Sequence, residues 1–545
     1  MVLIINGVFK KMYKEIKDVK KLQKLTNKSQ KFSKSAKSED AKCLSKSILW
    51  EQMQKYYEQL GPDAWQEDIV PYQITSNKLL AHLYATLINS AIYENVRDSN
   101  TEPFYILELG AGHGKFSFYI CKFLEFFNLY NKFKIVYIAS DISPKNIDAW
   151  QKHPQLQKYI NNQQLDFAKF NAETDQEIYL INSKKIIKPQ CLNNPMFVIA
   201  NYVFDSLAHD AFRCEDNKLF ATAIDLDSNN KIFSFENFKY KYSHELISNN
   251  YYDQNIFNQV LLEYKNQLKN GSFLIPIGAL HAIENIKMFS KKNTIFLVAD
   301  KGNIDIADFI QIEDPNIAVH GSISFMVNFH AIETFFALTG GSSMITQNSY
   351  TDLQIACFIT NSNNKHNLLK FTATQALYDI NPQNLINLCY SNDRINSWHN
   401  LDQMLAILAI SKWDPDLFYD LSDQLLEFIE KSIKKEQFNM EQEHAISCGL
   451  ELVWEYFFKL EKNQDLPFVL ANIYYAIEEF DLALKFFEIS IQEFGETVEA
   501  WHNIALCYHA LEKNVLALKY TKKALQINSK YLAAKKLLLE LTDMV

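Results

Sequence analysis

The chain has 545 residues, 48% of them hydrophobic with 39 phenylalanines, which suits two or three packed domains and excludes a disordered chain. Its net charge of −9 is uneven: residues 1–47 carry thirteen lysines against four acids, which leaves −18 for the rest, so the body is a poor partner for DNA. Eight cysteines are scattered without CxxC pairs and no apolar run reaches about 18 residues, so neither a zinc site nor a membrane span is expected, and the expected location is cytoplasmic.

Taken in chain order, residues 1–47 read as a basic, solvated arm that could touch RNA, a membrane surface or an acidic partner. "ILWEQMQKYYEQL" (48–60) then reads as an amphipathic helix stopped by "GPD", and "NKLLAHLYATLINSAIY" (77–93) as a second, capped near Thr75–Ser76. From about residue 103 short apolar runs alternate with helical patterns: "FYILEL", "FSFYICKFLEFF", "KIVYIAS", "SPKNIDAWQK", "MFVIAN", "AHDAF". Such alternation implies βαβ units and a mostly parallel sheet flanked by helices. Further strands are expected at 220–225, 294–300 and 354–360, with 253–290 helical and 321–341 a loop followed by a helix.

Beyond about 365 the pattern is helical throughout. Leu470, Ala471, Tyr474, Ala483 and Ile491 recur 34 residues later as Ile504, Ala505, Tyr508, Ala517 and Leu525. This resembles the tetratricopeptide repeat, a helix–turn–helix unit whose small positions let its two helices approach closely. The domain layout expected is therefore an arm (1–47), a helical lead-in (48–100), an α/β domain (101–362), a helical region with room for degenerate repeats (363–465) and repeats with a capping helix (466–545). The repeats either offer a concave surface to a protein partner or merely cap the helices before them.

The chemistry concentrates in "LELGAGHGKFSFYI" (107–120), where Gly110, Gly112 and Gly114 fall within five positions of a chain that has 13 glycines in all. A P-loop requires glycine five residues before Gly114, where Leu109 stands, and the dinucleotide fingerprint is weakened by Lys115 at its third small position. The remaining pattern, Glu108-Leu-Gly110-Ala111-Gly112-His-Gly114 at the end of a strand, resembles motif I of class I S-adenosylmethionine-dependent methyltransferases. That resemblance implies a Rossmann-like fold and S-adenosylmethionine as cofactor, lying against bare backbone, with Glu108 supplying negative charge. About thirty residues on, Asp141, followed by Ile142, stands where a ribose-binding acid belongs, or it caps the helix beginning "ISPKN". Asp166 and Phe167 stand where this fold keeps an acid and an apolar face for adenine. After the strand "MFVIAN", Asn201 would orient the nucleophile and touch the cofactor, Tyr202 would wall the pocket, and Asp205 would hold a cationic acceptor.

A narrower resemblance covers about 70–360. "VIANYVFDSLAHDAF" resembles the "ANEFFDALP" segment of MidA-like methyltransferases, a family with a member that modifies protein arginine, and "TIFLVADKG" and "AVHGSISFMVNF" follow in the family's order. Tyr202 replaces the acid after "AN", and Lys301 stands where the family has tyrosine, so arginine specificity does not carry over. His320, Asn328 and His330 are candidates to line the pocket, and His113 is a loop filler rather than a base. The expected function is methylation of a protein side chain, arginine or lysine, with the helical repeats recognising the substrate or another protein. The competing readings are a small-molecule methyltransferase, a non-catalytic adaptor and, less well supported, an NAD enzyme.

Overall fold

The computed structural model describes residues 39–68, 73–95, 102–227, 235, 238–310, 314–320, 322–346, 352–362, 366–379, 381–390, 400–460 and 465–542. Nearly all of the expected basic arm lies outside them. The described residues fall into two compact units, one ending at 390 and the other starting at 400.

The first unit is mixed α/β. Its strands are β1 (Glu39–Cys43), β2 (Phe104–Leu109), β3 (Ile135–Asp141), β4 (Leu165–Lys169), β5 (Met196–Asn201), β6 (Asp210–Glu215), β7 (Lys218–Asp227), β8 (Lys239–Leu246), β9 (Gly271–Ile275), β10 (Thr294–Asn303), β11 (Ser342–Ile345) and β12 (Leu353–Ile359). Its main helices are α1 (Ile48–Leu60), α2 (Lys78–Asn95), α3 (Lys115–Phe126), α4 (Pro144–Lys152), α5 (Asn255–Gln267), α6 (Ile277–Ile286), α7 (Phe329–Leu338), α8 (Asn367–Asp379) and α9 (Pro382–Tyr390). The central sheet runs β11-β12-β10-β5-β2-β3-β4, parallel from β10 to β4, with β12 antiparallel to β10 at one side. Its middle strands are apolar runs buried along their whole length, which is what a sheet covered on both faces requires.

The chain lays β2, β3 and β4 outward in one direction and then returns to place β5 on the other side of β2. That reversal opens a crevice beyond the carboxyl ends of β2 and β5, the place where open α/β sheets bind ligands. Register aligns the relevant ends: Leu109 pairs with Ala200 and Ala299 with Asn201, so Gly110, Asn201 and Asp300 emerge side by side.

A second, antiparallel sheet, β1-β7-β6-β9 with β8 on β7, was not expected from the sequence. "AHDAF" reads as helical, yet Asp210–Glu215 is a strand, because its register with β7 and β9 buries Ala211, Phe212 and Cys214. Within the stretch read as helical at 253–290, β9 separates α5 from α6. Gly271 begins it, and a Cβ there would sit 2.1 Å from the Phe309 carbonyl oxygen. The end of the expected arm, Glu39–Cys43, is a strand paired with β7. The helices α1 and α2 lie as the periodicity predicts, α1 with Ser47 capping Leu49 N–H and α2 with Asn77 capping Leu80 N–H. Helix α8 belongs to this unit although the expected boundary lay before it. Ser90 bonds Thr372 at 3.1 Å, and Glu94 accepts from Leu368 N–H at 3.0 Å while facing His366 at 3.5 Å.

The second unit is helical: α10 (Leu401–Ile410), α11 (Pro415–Lys434), α12 (Met440–Tyr456), α13 (Leu466–Ala476), α14 (Phe480–Phe494), α15 (Val498–Ala510), α16 (Asn514–Ile527) and α17 (Leu532–Thr542). Asp414, Asn439, Asp465 and Thr497 cap successive helices with their side-chain oxygens, which places the turns between them. Ala471, Ala483, Ala505 and Ala517 are fully buried where paired helices meet. Among the described residues no helix is long and apolar enough to cross a membrane.

Candidate active site

A cavity of about 930 Å³ opens at the crevice beyond β2 and β5, a volume typical of cofactor and substrate sites. Its near wall is the glycine loop. Gly110, Gly112 and Gly114 adopt φ of 58°, 57° and 82°, conformations that side chains with a Cβ rarely accept. Gly110, Ala111 and Gly112 line the cavity, whereas Gly114 lies behind it, where a Cβ would approach the Trp150 indole to 2.8 Å. Trp150 in turn donates from Nε1 to the Gly112 carbonyl at 3.0 Å, so the loop is clamped from behind while its front stays bare.

Two carboxyls brace this loop. Glu108 lines the cavity from the end of β2 and accepts hydrogen bonds from Ser117 and, at 2.9 Å, from Tyr137. Burial pushes its carboxyl up to about 7. Asp141 accepts from Gly112 N–H at 3.2 Å, Ser143 N–H at 2.8 Å and the Asn146 amide at 2.9 Å, and it faces the cavity beside Ile142. One side chain thus ties the start of α4 to the glycine loop and also faces the cavity. Its carboxyl is raised by burial against the pull of these donors.

The structure puts Asp166 and Phe167 elsewhere than the expected adenine site. Asp166 is turned to the backbone, accepting from Phe167, Asn182 and Ser183 N–H at 2.8–3.0 Å, and Phe167 is fully buried against Trp150 at 5.7 Å. Neither lines the cavity, because β4 runs on to Lys169 and the surface is supplied by the loop after it, Phe170 to Glu173.

The same cavity is lined by Ser272, Phe273 and Leu274 of β9 in the second sheet. Asn201 lines it at the tip of β5, its Oδ1 accepting from the Tyr84 hydroxyl at 3.0 Å and its amide donating to the Thr75 carbonyl at 3.4 Å. Tyr202 follows with φ of 50°, a strained conformation for a bulky residue, and its buried hydroxyl has no protein partner. Asp205 lines the cavity, accepts from the Ser206 hydroxyl at 2.8 Å and, through its own N–H, donates to Asp300 at 3.1 Å. Burial lifts the Asp205 carboxyl to about 6 and holds the fully buried Asp300 far above the usual carboxylate range. Lys301, next along β10, also faces the cavity and draws the Asp205 carboxyl partly back down.

Helix α1 forms the roof. Trp50 stacks on His209 at 5.9 Å, packs on Phe325 at 5.5 Å and donates from Nε1 to the Leu44 carbonyl at 2.7 Å. Met53 and Tyr57 extend that roof, and Ser272 of β9, whose buried hydroxyl has no protein partner, lines the far wall. Sequence reading missed Tyr84, the α1 roof, Phe170–Glu173, Ser272 and Asp300. Only Asp300 carried a local signal, at the end of an apolar strand.

The remaining candidates have other places. His113 lines the cavity, but its Nδ1 accepts from Lys115 N–H at 3.1 Å and burial holds it neutral, down to about 3. Asn328 caps α7, accepting from Ala331 N–H and the Tyr264 hydroxyl at 3.0 Å, and His330 takes a 2.8 Å bond with that same hydroxyl; neither lines the cavity. His320 pairs with Ser322 where the short strands Ala318–His320 and Ser322–Ser324 run antiparallel. Among the described residues no group of three or more His, Cys, Asp or Glu side chains is gathered to hold a metal.

A family model described as "Putative S-adenosyl-L-methionine-dependent methyltransferase" matches residues 87–343, which takes in the glycine loop, β5 and the whole second sheet apart from β1. No curated protein matches the chain. Two solved structures from Burkholderia thailandensis are similar at 12% identity. An uncharacterized superfamily protein aligns over 56% of this chain and 74% of its own at a TM-score of 0.36. A superfamily member bound to S-adenosyl-homocysteine aligns over 62% and 84% at 0.38. The CurJ carbon methyltransferase aligns over 52% and 55% at 10% identity and a TM-score of 0.27. With the family match falling across the glycine loop and the cavity it borders, the chain is an S-adenosylmethionine-dependent methyltransferase, and S-adenosylmethionine is its cofactor.

Proposed function

We propose that this enzyme methylates a nitrogen of a protein side chain, arginine or lysine, bound in the deep part of the cavity. The observation that carries the reading is charge: six carboxyl groups, of Glu51, Glu108, Asp141, Glu173, Asp205 and Asp352, line the cavity against one lysine, Lys301. Such a lining favours cations on both sides of the transfer. The lining also fits the cofactor, which has no phosphate to neutralise. Bare glycine backbone at Gly110–Gly112 would accommodate its chain, Asp141 and Glu108 its polar and cationic groups, and Phe170 and Asn171 the adenine in place of Asp166 and Phe167. When bound, S-adenosylmethionine supplies a methyl group activated by sulfonium.

The protein's own residues would then hold the acceptor. Asp205 draws a cationic nitrogen inward and takes its proton, leaving the nitrogen lone pair free. Asn201, fixed by Tyr84 and the Thr75 carbonyl, orients that nitrogen, and Tyr202 walls the pocket beside it. The segment around Asn201 to Asp205 and its place after β5 support a MidA-like assignment, and the 34-residue recurrence with buried alanines supports tetratricopeptide-like repeats in the helical unit. Those repeats are the natural protein-recognition element, in a cytoplasmic setting.

A small-molecule acceptor is favoured by a different observation: α1 roofs the cavity with Trp50, Met53 and Tyr57, which suits an acceptor taken in whole. Radiolabelled S-adenosylmethionine added to lysate with the purified enzyme separates the two. Label in the protein fraction that disappears with Asp205→Asn supports the first reading; label confined to small molecules replaces it with the second.

A further inference from the structure

One lysine interrupts the acidic lining of the cavity. Lys301 follows Asp300 on β10, and Asp300 accepts from Asp205 N–H at 3.1 Å, so Lys301 and Asp205 rise from neighbouring backbone. Among the described residues Lys301 makes no ion pair with Asp205 or with any other acid. A lysine that served only to neutralise its neighbours would close on one of them. The end of β10 is held from both sides. Gly302 N–H donates to the Asp352 carbonyl at 2.9 Å, and Gly302 pairs in parallel with Val327, where a Cβ would sit 2.2 Å from the Val327 carbonyl oxygen. With Gly302 buried there, strand alternation turns Lys301 and Asn303 to the opposite face, and both line the cavity. Asn328, in register with Asn303, donates its amide to the Leu274 carbonyl at 2.8 Å, which ties β9 to this strand end. Ser272, two residues before Leu274 on β9, lines the same cavity at 3% exposure, and its hydroxyl has no partner among the described residues. A buried hydroxyl at a cavity wall is matched when a ligand bonds to it.

We propose that Lys301, Asn303 and Ser272 form a subsite for a carboxylate carried by the methyl acceptor, on the same molecule as the nitrogen held at Asp205. All three side chains present hydrogen-bond donors, one of them cationic, and a carboxylate only accepts. The acids of the lining repel such a group everywhere else, so the acceptor is oriented by its own charges, nitrogen towards Asp205 and carboxylate towards Lys301. The inference rests on the reading of Asp205 as the group that holds the acceptor nitrogen. In a protein acceptor the carboxylate is an aspartate or glutamate beside the methylated residue; in a small acceptor it is the molecule's own.

The test pairs acceptors that differ only in that charge. Short alanine peptides with a central lysine or arginine are flanked by aspartate, asparagine or lysine, and free lysine and arginine are set against their carboxamides. Each is titrated calorimetrically into the full chain saturated with S-adenosyl-homocysteine and, separately, supplied with radiolabelled S-adenosylmethionine. Carboxylate members are expected to exceed their amide partners by about 10- to 100-fold in kcat/KM. Lys301→Gln should bring that ratio close to one, Lys301→Glu should reverse it in favour of the lysine-flanked peptide, and Ser272→Ala should lower it by about 3- to 10-fold. The pull of Lys301 on Asp205 acts on both members of a pair alike, so the ratio isolates the subsite. Preference among the peptides supports the subsite with an acidic neighbour in a protein chain; preference confined to the free amino acids supports it with a small acceptor. Equal labelling within every pair overturns the subsite and leaves the acceptor nitrogen where it was, and a preference that survives Lys301→Gln overturns it too. Carboxylate-selective binding without labelling keeps the subsite and overturns the assignment of the nitrogen. A panel that neither binds nor takes label overturns both. The wild-type ratios stand without the variants, and unchanged circular dichroism verifies that the variants fold.

Discussion

Single side chains decide whether the glycine loop is formed. Asp141 is the acceptor for three separate donors, so Asp141→Ala leaves Gly112 N–H, Ser143 N–H and the Asn146 amide unsatisfied in a buried setting, at about 1–3 kcal/mol for each that water does not reach. Calorimetric titration should show cofactor affinity lost, and the melting temperature should fall as well, whereas Asp141→Asn should retain the fold better than the affinity. Glu108 is a titrating group at the same wall. Its folded carboxyl lies at about 7, above its ordinary value of 4.5. Between those two values the folded state holds a proton the unfolded chain has released, so the contribution of Glu108 to the stability of the cofactor-free protein is fully present below about pH 4.5 and is lost as pH rises to about 7. Cofactor affinity should move the opposite way, rising through about pH 7 as the carboxylate forms to meet a cation. Glu108→Gln should flatten both profiles. Asp205, lifted to about 6, gives a third handle: kcat/KM should climb with pH through about 6 where the carboxylate draws in the acceptor, and Asp205→Asn should abolish that limb while leaving cofactor affinity intact.

At the scale of elements, α1 and the loop before α3 set what the cavity admits. Trp50→Ala removes the stack on His209 and Phe325 and the bond to the Leu44 carbonyl, so the roof loosens over the acceptor end. Steady-state kinetics should show a higher KM for the acceptor with cofactor affinity unchanged; a loss of cofactor binding would refute the assignment of α1 to the acceptor side. Gly114→Ala asks a residue with a Cβ to adopt φ of 82° against Trp150, a strain of about 1–3 kcal/mol that should appear in both stability and affinity. The sequence made some of these elements legible and hid others for physical reasons. Buried parallel strands such as Phe104–Leu109 and Thr294–Asn303 announce themselves as apolar runs, and motif I announces the crevice. The second sheet does not, because Asp210–Glu215 and Gly271–Ile275 owe their conformation to partners distant in sequence. Asp166 shows the same limit within the site: the residue type fits an adenine contact, but which way it turns depends on Asn182 and Ser183, which no spacing rule foresees.

The whole molecule contains at least two separate cores, one spanning the central sheet and the helices packed on it, the other formed among α15, α16 and α17 from Ala505, Leu506, Ala517, Leu537 and Leu541. Cooperative unfolding follows a shared core, so a single two-state transition is not expected of this chain. Scanning calorimetry should resolve two transitions, and the ligand should tell them apart. The glycine loop, Asp141 and Asn201 all belong to the first unit, so S-adenosylmethionine at about 100 times its Kd stabilises that unit by about 2.7 kcal/mol and leaves the helical unit where it was. For a unit of that size the shift is about 4 °C, well within reach of the instrument. Asp141→Ala should erase the shift without moving the second transition. If the ligand raised both transitions together, the two cores would have to unfold as one, and the division between 390 and 400 would not be a boundary of cooperativity.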